Sequence, residues 1–453
     1  MPEADLATIP SVPAELAVRV TAAIDARQDE LFALLQDLVR IPSENPKLSA
    51  ASPNGEANVQ DRVAVELDAI GATADRWDAL PGRPNQVGVV KGSGGGRSLA
   101  LNAHIDTVPA GDASEWTHDP FGGDIADGML WGRGAMDPKG GVAANLFAAR
   151  ILHDLGIRLK GDLFLEAVID EETGGPGTKE TIARGYRPDF ALVVDAGEPI
   201  TNIITTEGGL EWLRLTVTGV AGHSAMRYLS VHAGGQGTAV SAFDKAVKLV
   251  NAIADLERMW AVRKVHPLLP KGITTINVGA IAAGMGGGTN GIPNIMTSVS
   301  ALPDYCAIDL SLKYLPSEMT ADVRAEFEAF IHHICQADDW LRDNPPTIEW
   351  GLHGVSFPPS SVPADDPGVE TLSEVVRAMG YPPEIRAATG VGDIAWFAEE
   401  GIPAVFFGPA QAFSAHGPDE HIELASLVEG VKAIALFTIA WCGLDAADGK
   451  DAS

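Results

Sequence analysis

The stretch Ser98-Leu99-Ala100-Leu101-Asn102-Ala103-His104-Ile105-Asp106 joins a short apolar run to a histidine and an aspartate. The run has the length and composition of a buried strand. Three further apolar runs also lead to side chains that can bind a metal, at Asp170-Glu171-Glu172, at Asp195 and, after a short loop, at His416. Short apolar runs that alternate with helices predict an α/β fold with a mixed, largely parallel sheet and helices on both faces.

These polar side chains all follow the carboxyl ends of the predicted strands, which is the edge where parallel sheets bind ligands. A fifth segment, residues 134–140, contains Asp137 and lies just before a predicted helix. Each segment alone has an ordinary explanation, because Glu171-Glu172 could be a solvated acidic patch and Asp195 a loop aspartate. Their convergence on one edge favours a metal-dependent enzyme.

The composition limits both the architecture and the partners of the protein. A chain of 453 residues exceeds what one hydrophobic core usually supports, so two domains are expected. The excess of 61 acidic over 32 basic residues, a net charge of −29, argues against nucleic acid and anionic membranes as partners. Three dispersed cysteines and the absence of a signal-peptide pattern in residues 1–20 predict a cytoplasmic protein with reduced thiols. The apolar stretch 422–442 is interrupted by charged residues and is interpreted as a core helix.

The hydrophobic pattern changes from about Gly208, where alternating strands and one-sided helices replace the buried runs. Their order, β-α-β-β-α-β, is typical of a split ferredoxin-like module. We therefore predict a catalytic domain over residues 1–207 and 356–453, interrupted by an inserted α+β module over residues 208–355. The first helix of that module is predicted to bury one apolar face: Val240, Phe243, Val247, Val250 and Ala254.

Two further expectations concern the N-terminal part of the chain, ahead of His104. Residues 13–40 are predicted to form one long helix that stops ahead of Pro42. The glycine-rich residues 92–96 are predicted to be a hairpin turn between two strands rather than a phosphate-binding loop, because no helix follows them.

The candidate metal ligands are two histidines and three carboxylates, a set that suits zinc, with cobalt and manganese as alternatives. Asp137 can use both carboxylate oxygens to bridge two ions. The other candidate ligands serve one ion each: His104, Glu172, Asp195 and His416. From the residues alone, His421 is an equal alternative to His416.

Two carboxylates are left for other roles. Asp106 follows His104 by two residues and is expected to fix the tautomer and orientation of that histidine. Adjacent residues on an extended or turning segment point in different directions, so Glu171 can face the attacking water while Glu172 binds metal. Glu171 is therefore the predicted general base.

A further motif, Gly222-His223-Ser224-Ala225-Met226, lies after the first strand of the inserted module. Its plain interpretation is a loop histidine that is hydrogen-bonded to the backbone. Ser224 as a nucleophile is disfavoured, because a nucleophile elbow requires glycine two residues after the serine and Met226 stands there.

Six stretches are shared with one known family: residues 102–109, 131–141, 170–175, 222–224, 290–293 and 415–420. In them the chain resembles the metallopeptidase family of acetylornithine deacetylase, succinyl-diaminopimelate desuccinylase, aminoacylase and bacterial glutamate carboxypeptidase. The resemblance runs from about residue 28 to 440. It implies a zinc-peptidase-like catalytic domain with two zinc ions, and an inserted lid or dimerisation domain through which a homodimer forms.

The resemblance also implies roles for individual residues. It prefers His416 over His421 and divides the ligands between two ions: His104, Asp137 and Asp195 for one, and Asp137, Glu172 and His416 for the other. It makes Glu171 the base. It further implies that His223 reaches the active site of the partner subunit to support the oxyanion, and that Asn290 lines the substrate pocket.

The chain departs from the family pattern at two positions. Pro138 follows the bridging aspartate, where the family often has methionine or aspartate and a cis bond, so a cis Asp137–Pro138 peptide is predicted. Lys313 stands where the family usually has an arginine that binds a substrate carboxylate as a fork, and a lysine offers only a point charge. Either Lys313 or Arg227 replaces that contact, or the substrate lacks a free carboxylate.

The predicted function is metal-dependent hydrolysis of the amide bond of a small N-acyl amino acid or related amide, by a water that bridges two metal ions. A dipeptidase or carboxypeptidase of the same family is the alternative. A metal-binding protein without catalysis is disfavoured, because Glu171 then has no role. The expected partners are a small-molecule amide and a second copy of the chain.

Overall fold

The computed structural model describes residues 5–195, 199–225, 239–288, 291–294, 299–410 and 414–445. The chain divides into two compact units. The first comprises Met1–Thr206, Ser360–Ala387 and Gly392–Ser453, and the second comprises Glu207–Pro359 and Ala388–Val391. Each unit contains a hydrophobic core of its own.

Within the described residues the chain forms eleven α-helices, several short 3-10 turns and twenty strands. The helices are α1 Ala14–Ala26, α2 Gln28–Val39, α3 Gly55–Ala69, α4 Lys139–Asp154, α5 Pro176–Ala183, α6 Ala242–Arg263, α7 Thr320–Gln336, α8 Asp339–Asp343, α9 Pro367–Ala378, α10 Ile394–Glu399 and α11 Leu424–Cys442. The strands are β1 Thr73–Leu80, β2 Arg83–Val90, β3 Leu99–His104, β4 Asp124–Ala126, β5 Met129–Trp131, β6 Leu163–Val168, β7 Phe190–Val193, β8 Asn202–Glu207, β9 Gly209–Thr218, β10 Gly222–His223, β11 Ile276–Gly287, β12 Pro293–Asn294, β13 Ala301–Leu302, β14 Tyr305–Tyr314, β15 Thr347–Trp350, β16 Ser356–Phe357, β17 Ser360–Ser361, β18 Glu384–Ala388, β19 Ala404–Phe406 and β20 His421–Glu423.

A large mixed sheet forms the centre of the first unit. Its strands follow the order β1-β2-β6-β3-β7-β19-β8-β17, with β18 beside β8. The four central strands β6, β3, β7 and β19 are mutually parallel, whereas β1 pairs antiparallel with β2, β2 with β6, and β8 with β19. Every residue of β3 is buried, as expected for a strand that is covered on both faces. The predicted mixed α/β class is confirmed.

Helix α11 lies in the core of the first unit. Among the described residues it is the one helix long and apolar enough to be a candidate membrane span. It packs against α1, α4 and α9, and 78% of its most apolar window is buried inside the fold. Its apolar surface is therefore covered by protein, which confirms the prediction of a core helix.

The second unit is built on an antiparallel sheet. Its strand order is β12-β11-β14-β9-β15, with β16 also beside β9, and α6 and α7 supply the helical part of the core. Along the chain the main elements run β9-α6-β11-β14-α7-β15, which is the split ferredoxin-like order.

The predicted buried face of α6 is wrong at Phe243 and Val247, although Val240 is buried ahead of the helix and Val250 packs partly against the core. The helix buries another stripe: Ala242, Ala246, Leu249, Ile253, Leu256 and Trp260. Phe243 is 43% exposed and Val247 is 39% exposed. The two buried alanines explain the error, because a small side chain lets a helix approach a sheet closely yet adds little to a hydrophobic pattern.

Two predictions for the N-terminal part of the chain are also wrong. The long helix is divided at Arg27 into α1 and α2, and Arg27 has a non-helical backbone with φ −122° and ψ 17°. The glycine-rich segment is no hairpin turn, because β6 lies between β2 and β3 and pairs with both. Backbone N–H groups of Ser93 and Gly94 instead donate to the carbonyls of Leu159 and Lys160.

Candidate metal centre

The five predicted metal ligands lie at the carboxyl edge of the central strands of the first unit. His104 is the last residue of β3, Glu172 lies in the short turn Glu171–Thr173 after β6, and Asp195 follows β7. Asp137 precedes α4, and His416 lies between β19 and β20. Strand order thus brings together side chains that are far apart along the chain.

Asp137 lies between the two histidines. Its Oδ1 is 3.1 Å from His104 Nε2, and its Oδ2 is 3.2 Å from His416 Nε2. Asp195 Oδ1 is 3.3 Å from His104 Nε2, and Glu172 Oε2 is 3.3 Å from His416 Nε2. Two groups of side chains are therefore spaced to hold an ion, His104 with Glu171 and Asp195, and Asp137 with Glu172 and His416.

The spacing and the hydrogen bonding fit a divalent cation in each group. Ligand bonds of about 2.0–2.1 Å in a tetrahedral site place the ligand atoms about 3.3–3.4 Å apart, close to the separations seen here. His104 Nε2 and Asp137 Oδ1 are buried and have no hydrogen-bond partner among the described residues. A cation between them satisfies both atoms, which explains two otherwise costly buried polar groups.

The orientation of His104 is set by its other ring nitrogen. His104 Nδ1 lies 3.0 Å from the backbone carbonyl oxygen of Asp106 and 3.4 Å from Asp106 Oδ1. Because both neighbours are acceptors, Nδ1 carries the proton and Nε2 presents its lone pair to Asp137 and Asp195. The Asp106 carboxylate also accepts from Asn45 Nδ2 at 2.6 Å and from the Glu171 backbone N–H at 3.2 Å.

The electrostatics of the cluster are those of buried carboxylates that crowd one another. Burial raises the pKa of Glu171 well above its usual value, and burial together with the Asp137 charge raises the pKa of Glu172 to about 7. Burial opposes ionisation of Asp137 as well, yet the adjacent imidazoles of His104 and His416 hold its pKa below the usual range. Divalent cations at this edge would offset the cost of bringing so much negative charge together.

Glu171 lies beside the cluster, and its carboxylate is farther from His104 than that of Asp137. Its Oε2 is 3.8 Å from His104 Nε2, compared with 3.1 Å for Asp137 Oδ1. Gly392 lies against it, because a Cβ atom at that position would be 3.0 Å from Glu171 Oε1 and 2.7 Å from the Phe406 ring. Sequence reasoning missed Gly392, since nothing local connects this loop to a glutamate so much earlier in the chain.

Buried charges under the turn that carries Glu171 and Glu172 were also missed from the sequence. Asp170 is fully buried with φ 67°, and its carboxylate pairs with Lys47 and, at 2.5 Å, with Arg83. Asn45 Nδ2 donates to Asp170 Oδ1 at 2.9 Å as well as to Asp106. The one available signal in the sequence was the acidic run of residues 170–172, because an aspartate that is buried in such a run needs cationic partners.

The remaining predicted residues lie in the second unit or outside the described part of the chain. His223 ends β10, is exposed, and accepts at Nδ1 from the Ala225 backbone N–H at 3.1 Å, as the plain loop interpretation expects. Lys313 is half-buried on β14, donates from Nζ to the Thr389 carbonyl at 2.9 Å, and has its pKa lowered by burial. Asn290 and Arg227 lie outside the described residues.

The structure also bears on two further sequence-based expectations. His416 lies in the cluster, whereas His421 packs its ring 4.3 Å from that of Trp131 and contacts the Asp419 carbonyl through Nδ1. The Asp137–Pro138 peptide is cis, which confirms the prediction made from Pro138.

Comparison with known proteins identifies the family. A sequence model described as Peptidase family M20/M25/M40 matches residues 100–439. The chain belongs to this family. Membership in the M20/M25/M40 family confirms the predicted recognition and the predicted class of enzyme, a metal-dependent hydrolase.

Known proteins also match over nearly the whole chain. The N-formyl-4-amino-5-aminomethyl-2-methylpyrimidine deformylase of Halalkalibacterium halodurans is 34% identical over 433 residues, covering 93% of this chain and 97% of the relative. The succinyl-diaminopimelate desuccinylase of Rhodospirillum centenum is 30% identical over 425 residues, covering 88% and 94%. The crystal structure of aminopeptidase PepT from Bacillus cereus has the same fold, with a TM-score of 0.69, 18% identity, and coverage of 91% and 98%.

Proposed function

We propose that the protein uses two divalent ions, zinc by expectation, to hydrolyse the amide bond of a small N-acyl compound. The proposal is supported above all by the position of Asp137. Its two carboxylate oxygens face His104 and His416 at nearly equal distances. In this proposal His104, Asp137 and Asp195 hold one ion, and Asp137, Glu172 and His416 hold the other. Asp137 is preferred to Glu171 as the shared ligand because it lies closer to His104 Nε2.

The proposed mechanism gives the proton transfers to Glu171. Divalent ions held by these residues would supply Lewis acidity, which lowers the pKa of a bound water and polarises a substrate carbonyl. Glu171 accepts the proton of the attacking water and then delivers it to the departing amine. The raised pKa of Glu171, caused chiefly by burial, suits a carboxylate that must hold a proton between these two steps. His223 of the partner subunit is proposed to donate to the oxyanion.

Two independent observations support a proposal for the substrate class. The 34% identical relative is named for deformylation of an N-formyl aminomethylpyrimidine, a compound without a carboxylate. Lys313, which replaces the arginine usual in the family, donates to the Thr389 carbonyl rather than offering a fork. We therefore propose a short N-acyl amide, N-formyl above all, of an amine that carries no carboxylate. An N-succinyl amino acid is the second candidate, supported by the 30% identical desuccinylase.

The second unit is proposed to be the lid or dimerisation domain, with boundaries near residues 208 and 355. Two features support a homodimer. Between Ile276 and Gly284, strand β11 pairs with β14 on one side and with no other described strand, and such an open edge can pair with a second chain. Phe243 and Val247 also expose apolar surface on α6. Cytoplasmic location is proposed from the three cysteines, which are buried free thiols.

A substrate panel with the zinc-loaded protein tests the proposal. It compares an N-formyl aminomethylpyrimidine, N-succinyl and N-acetyl amino acids, and dipeptides, each with and without a chelator. We expect chelator-sensitive hydrolysis with the highest kcat/KM for the N-formyl compound. Turnover that resists complete metal removal contradicts the metal-dependent mechanism, and a preference for dipeptides contradicts the substrate class.

A further inference from the structure

A buried ion pair joins the two loops that carry Asp137 and His416. Arg133 and Glu420 lie 287 positions apart along the chain, and their residues are 1% and 0% exposed. Arg133 Nη1 donates to Glu420 Oε2. The other carboxylate oxygen also receives donors, so Glu420 acts as a fully engaged carboxylate.

Glu420 holds the backbone of the loop that leads into Asp137. Its Oε1 accepts from the backbone N–H groups of Gly134 at 3.0 Å, Met136 at 3.1 Å and Asp137 at 3.1 Å. Three buried donors that converge on one oxygen fix the loop, because any movement leaves a donor without a partner.

Arg133 holds the backbone of the loop that carries His416. Its Nη2 donates to the carbonyls of Gly417 at 3.1 Å and His416 at 3.4 Å. His416 has φ 68°, a left-handed conformation that is unusual for a residue other than glycine and persists where its surroundings hold it. The planar guanidinium reaches Glu420 and both carbonyls together, which a lysine ammonium does not.

The strand-borne ligands need no such link. His104 ends β3, and Asp195 follows β7, and these two strands pair directly in parallel register. Their side chains are therefore positioned by the backbone hydrogen bonds of the sheet. The link between Arg133 and Glu420 instead connects the loop that carries Asp137 to the loop that carries His416.

We propose that Arg133 and Glu420 are a positioning pair that sets the affinity of the ion held by Asp137, Glu172 and His416. The ion held with His104 and Asp195 depends on this pair much less. The inference rests on the proposed ligand assignment. It extends that assignment to residues that touch neither ion, through the backbone that presents the ligands.

Glu420→Gln tests the pair selectively. Its amide oxygen can still accept from the three N–H groups of the Asp137 loop, whereas its NH₂ group opposes Arg133 Nη1 and releases the His416 loop. Titration of the metal-free protein with Zn²⁺ in competition with a chelator gives two dissociation constants. We expect one constant to rise about 10–100-fold, the cost typical of removing support behind a metal ligand. The other constant should change by less than about threefold, because the variant keeps an acceptor for the Asp137 loop and leaves the surroundings of His104 and Asp195 unaltered.

Reference variants identify the affected ion. His416→Ala and His104→Ala each remove one unshared ligand, so each abolishes or weakens one of the two binding steps. The step that weakens in Glu420→Gln should match the step lost in His416→Ala. Arg133→Lys should weaken the same step less, since it keeps the charge and loses the fork, and it carries the test if Glu420→Gln does not fold.

Arg324→Met is the matched control. Arg324 Nη2 pairs with the buried Glu211 at 2.7 Å in the second unit, which contains none of the candidate ligands. Its loss should leave both dissociation constants unchanged, even where it lowers the melting temperature. A wild-type protein that binds fewer than two ions contradicts the proposed function instead of the pair. The proposal of a positioning pair is overturned if Glu420→Gln weakens both Zn²⁺-binding steps to a similar extent. It is also overturned if neither step changes.

Discussion

The two ends of the candidate metal centre are built differently. At one end, His104 has a side chain only 1% exposed and belongs to a fully buried strand. At the other end, the His416 side chain is 51% exposed and belongs to a loop with a left-handed backbone. We name these the strand-borne half, with His104 and Asp195, and the loop-borne half, with Glu172 and His416.

One candidate metal centre can therefore obtain its geometry from two sources. Paired parallel strands position the strand-borne half through the same hydrogen bonds that make the fold. The loop-borne half depends on buried charges, with Arg133 and Glu420 behind His416 and Asp170 behind Glu172. Asp137 belongs to both halves, so variants at and around it separate their contributions.

Asp137→Ala is expected to have the largest effect, because it removes the ligand that both halves share. Metal content should fall below one ion per chain. Turnover should fall by more than about 10⁴-fold, since several kcal/mol of transition-state stabilisation from the metal ions are lost. Metal analysis and kcat/KM check this, with the exposed Asp124→Ala as control. Retention of one tightly bound ion would show that the halves do not share Asp137.

Glu171→Gln should cost about 10²–10⁴-fold in kcat, the usual contribution of a general base, while both ions remain bound. This variant sharpens the definition of the strand-borne half, because Glu171 is also spaced to share an ion with His104 and Asp195. Metal analysis beside the kinetic assay decides between the two roles. Loss of an ion would make Glu171 a ligand of the strand-borne half instead of the base.

The strand-borne half was accessible from the sequence because its signals are local. Apolar runs that end in His104 and Asp195 predicted both the strands and the edge at which they meet, and the structure brings these side chains within 3.3 Å of each other. The same local logic failed for residues 92–96. Strand β6, which comes much later in the chain, separates the two strands that were expected to pair.

The supports of the loop-borne half were not accessible from the sequence. Glu420 stood in a recognised motif beside His416, yet its partners Arg133 and the N–H groups of the Asp137 loop belong to a distant part of the chain. Neither hydrophobic period nor composition records such a contact. The wrong face of α6 has a related cause, because burial of Ala242 and Ala246 depends on how closely the helix approaches its sheet.

His223→Ala should lower kcat about 10²–10³-fold, the usual cost of removing an oxyanion donor, without metal loss from either half. Mixing this variant with Glu171→Gln tests whether the histidine acts across a dimer. Random reassortment of a two-fold dimer should restore about one quarter of wild-type activity, because half of the dimers then contain one intact site. Each variant alone is the control. Mixed samples that gain no activity after subunit exchange would place His223 in its own subunit's site.

Gly392→Ala should lower kcat by about tenfold or more and leave the metal content of both halves intact. The added Cβ would meet Glu171 Oε1 and the Phe406 ring, and small displacements of a reacting group are costly. Gly390→Ala, two residues earlier in the same segment, is the matched control because a Cβ there meets nothing within 4 Å. Equal kinetics for the two variants would show that Glu171 tolerates the displacement.

Lys313→Met is expected to have the smallest effect, because Lys313 lies in the second unit and its Nζ already donates to the Thr389 carbonyl. For a carboxylate-free N-formyl substrate, KM should change less than about fivefold, corresponding to at most about 1 kcal/mol from a partly exposed charge. Lys313→Arg restores the fork and should lower KM for N-acyl amino acids alone. A tenfold rise in KM for the N-formyl compound in Lys313→Met would instead make this lysine a substrate contact. It would then add a third part, from the second unit, to a site that the two halves of the metal centre otherwise define.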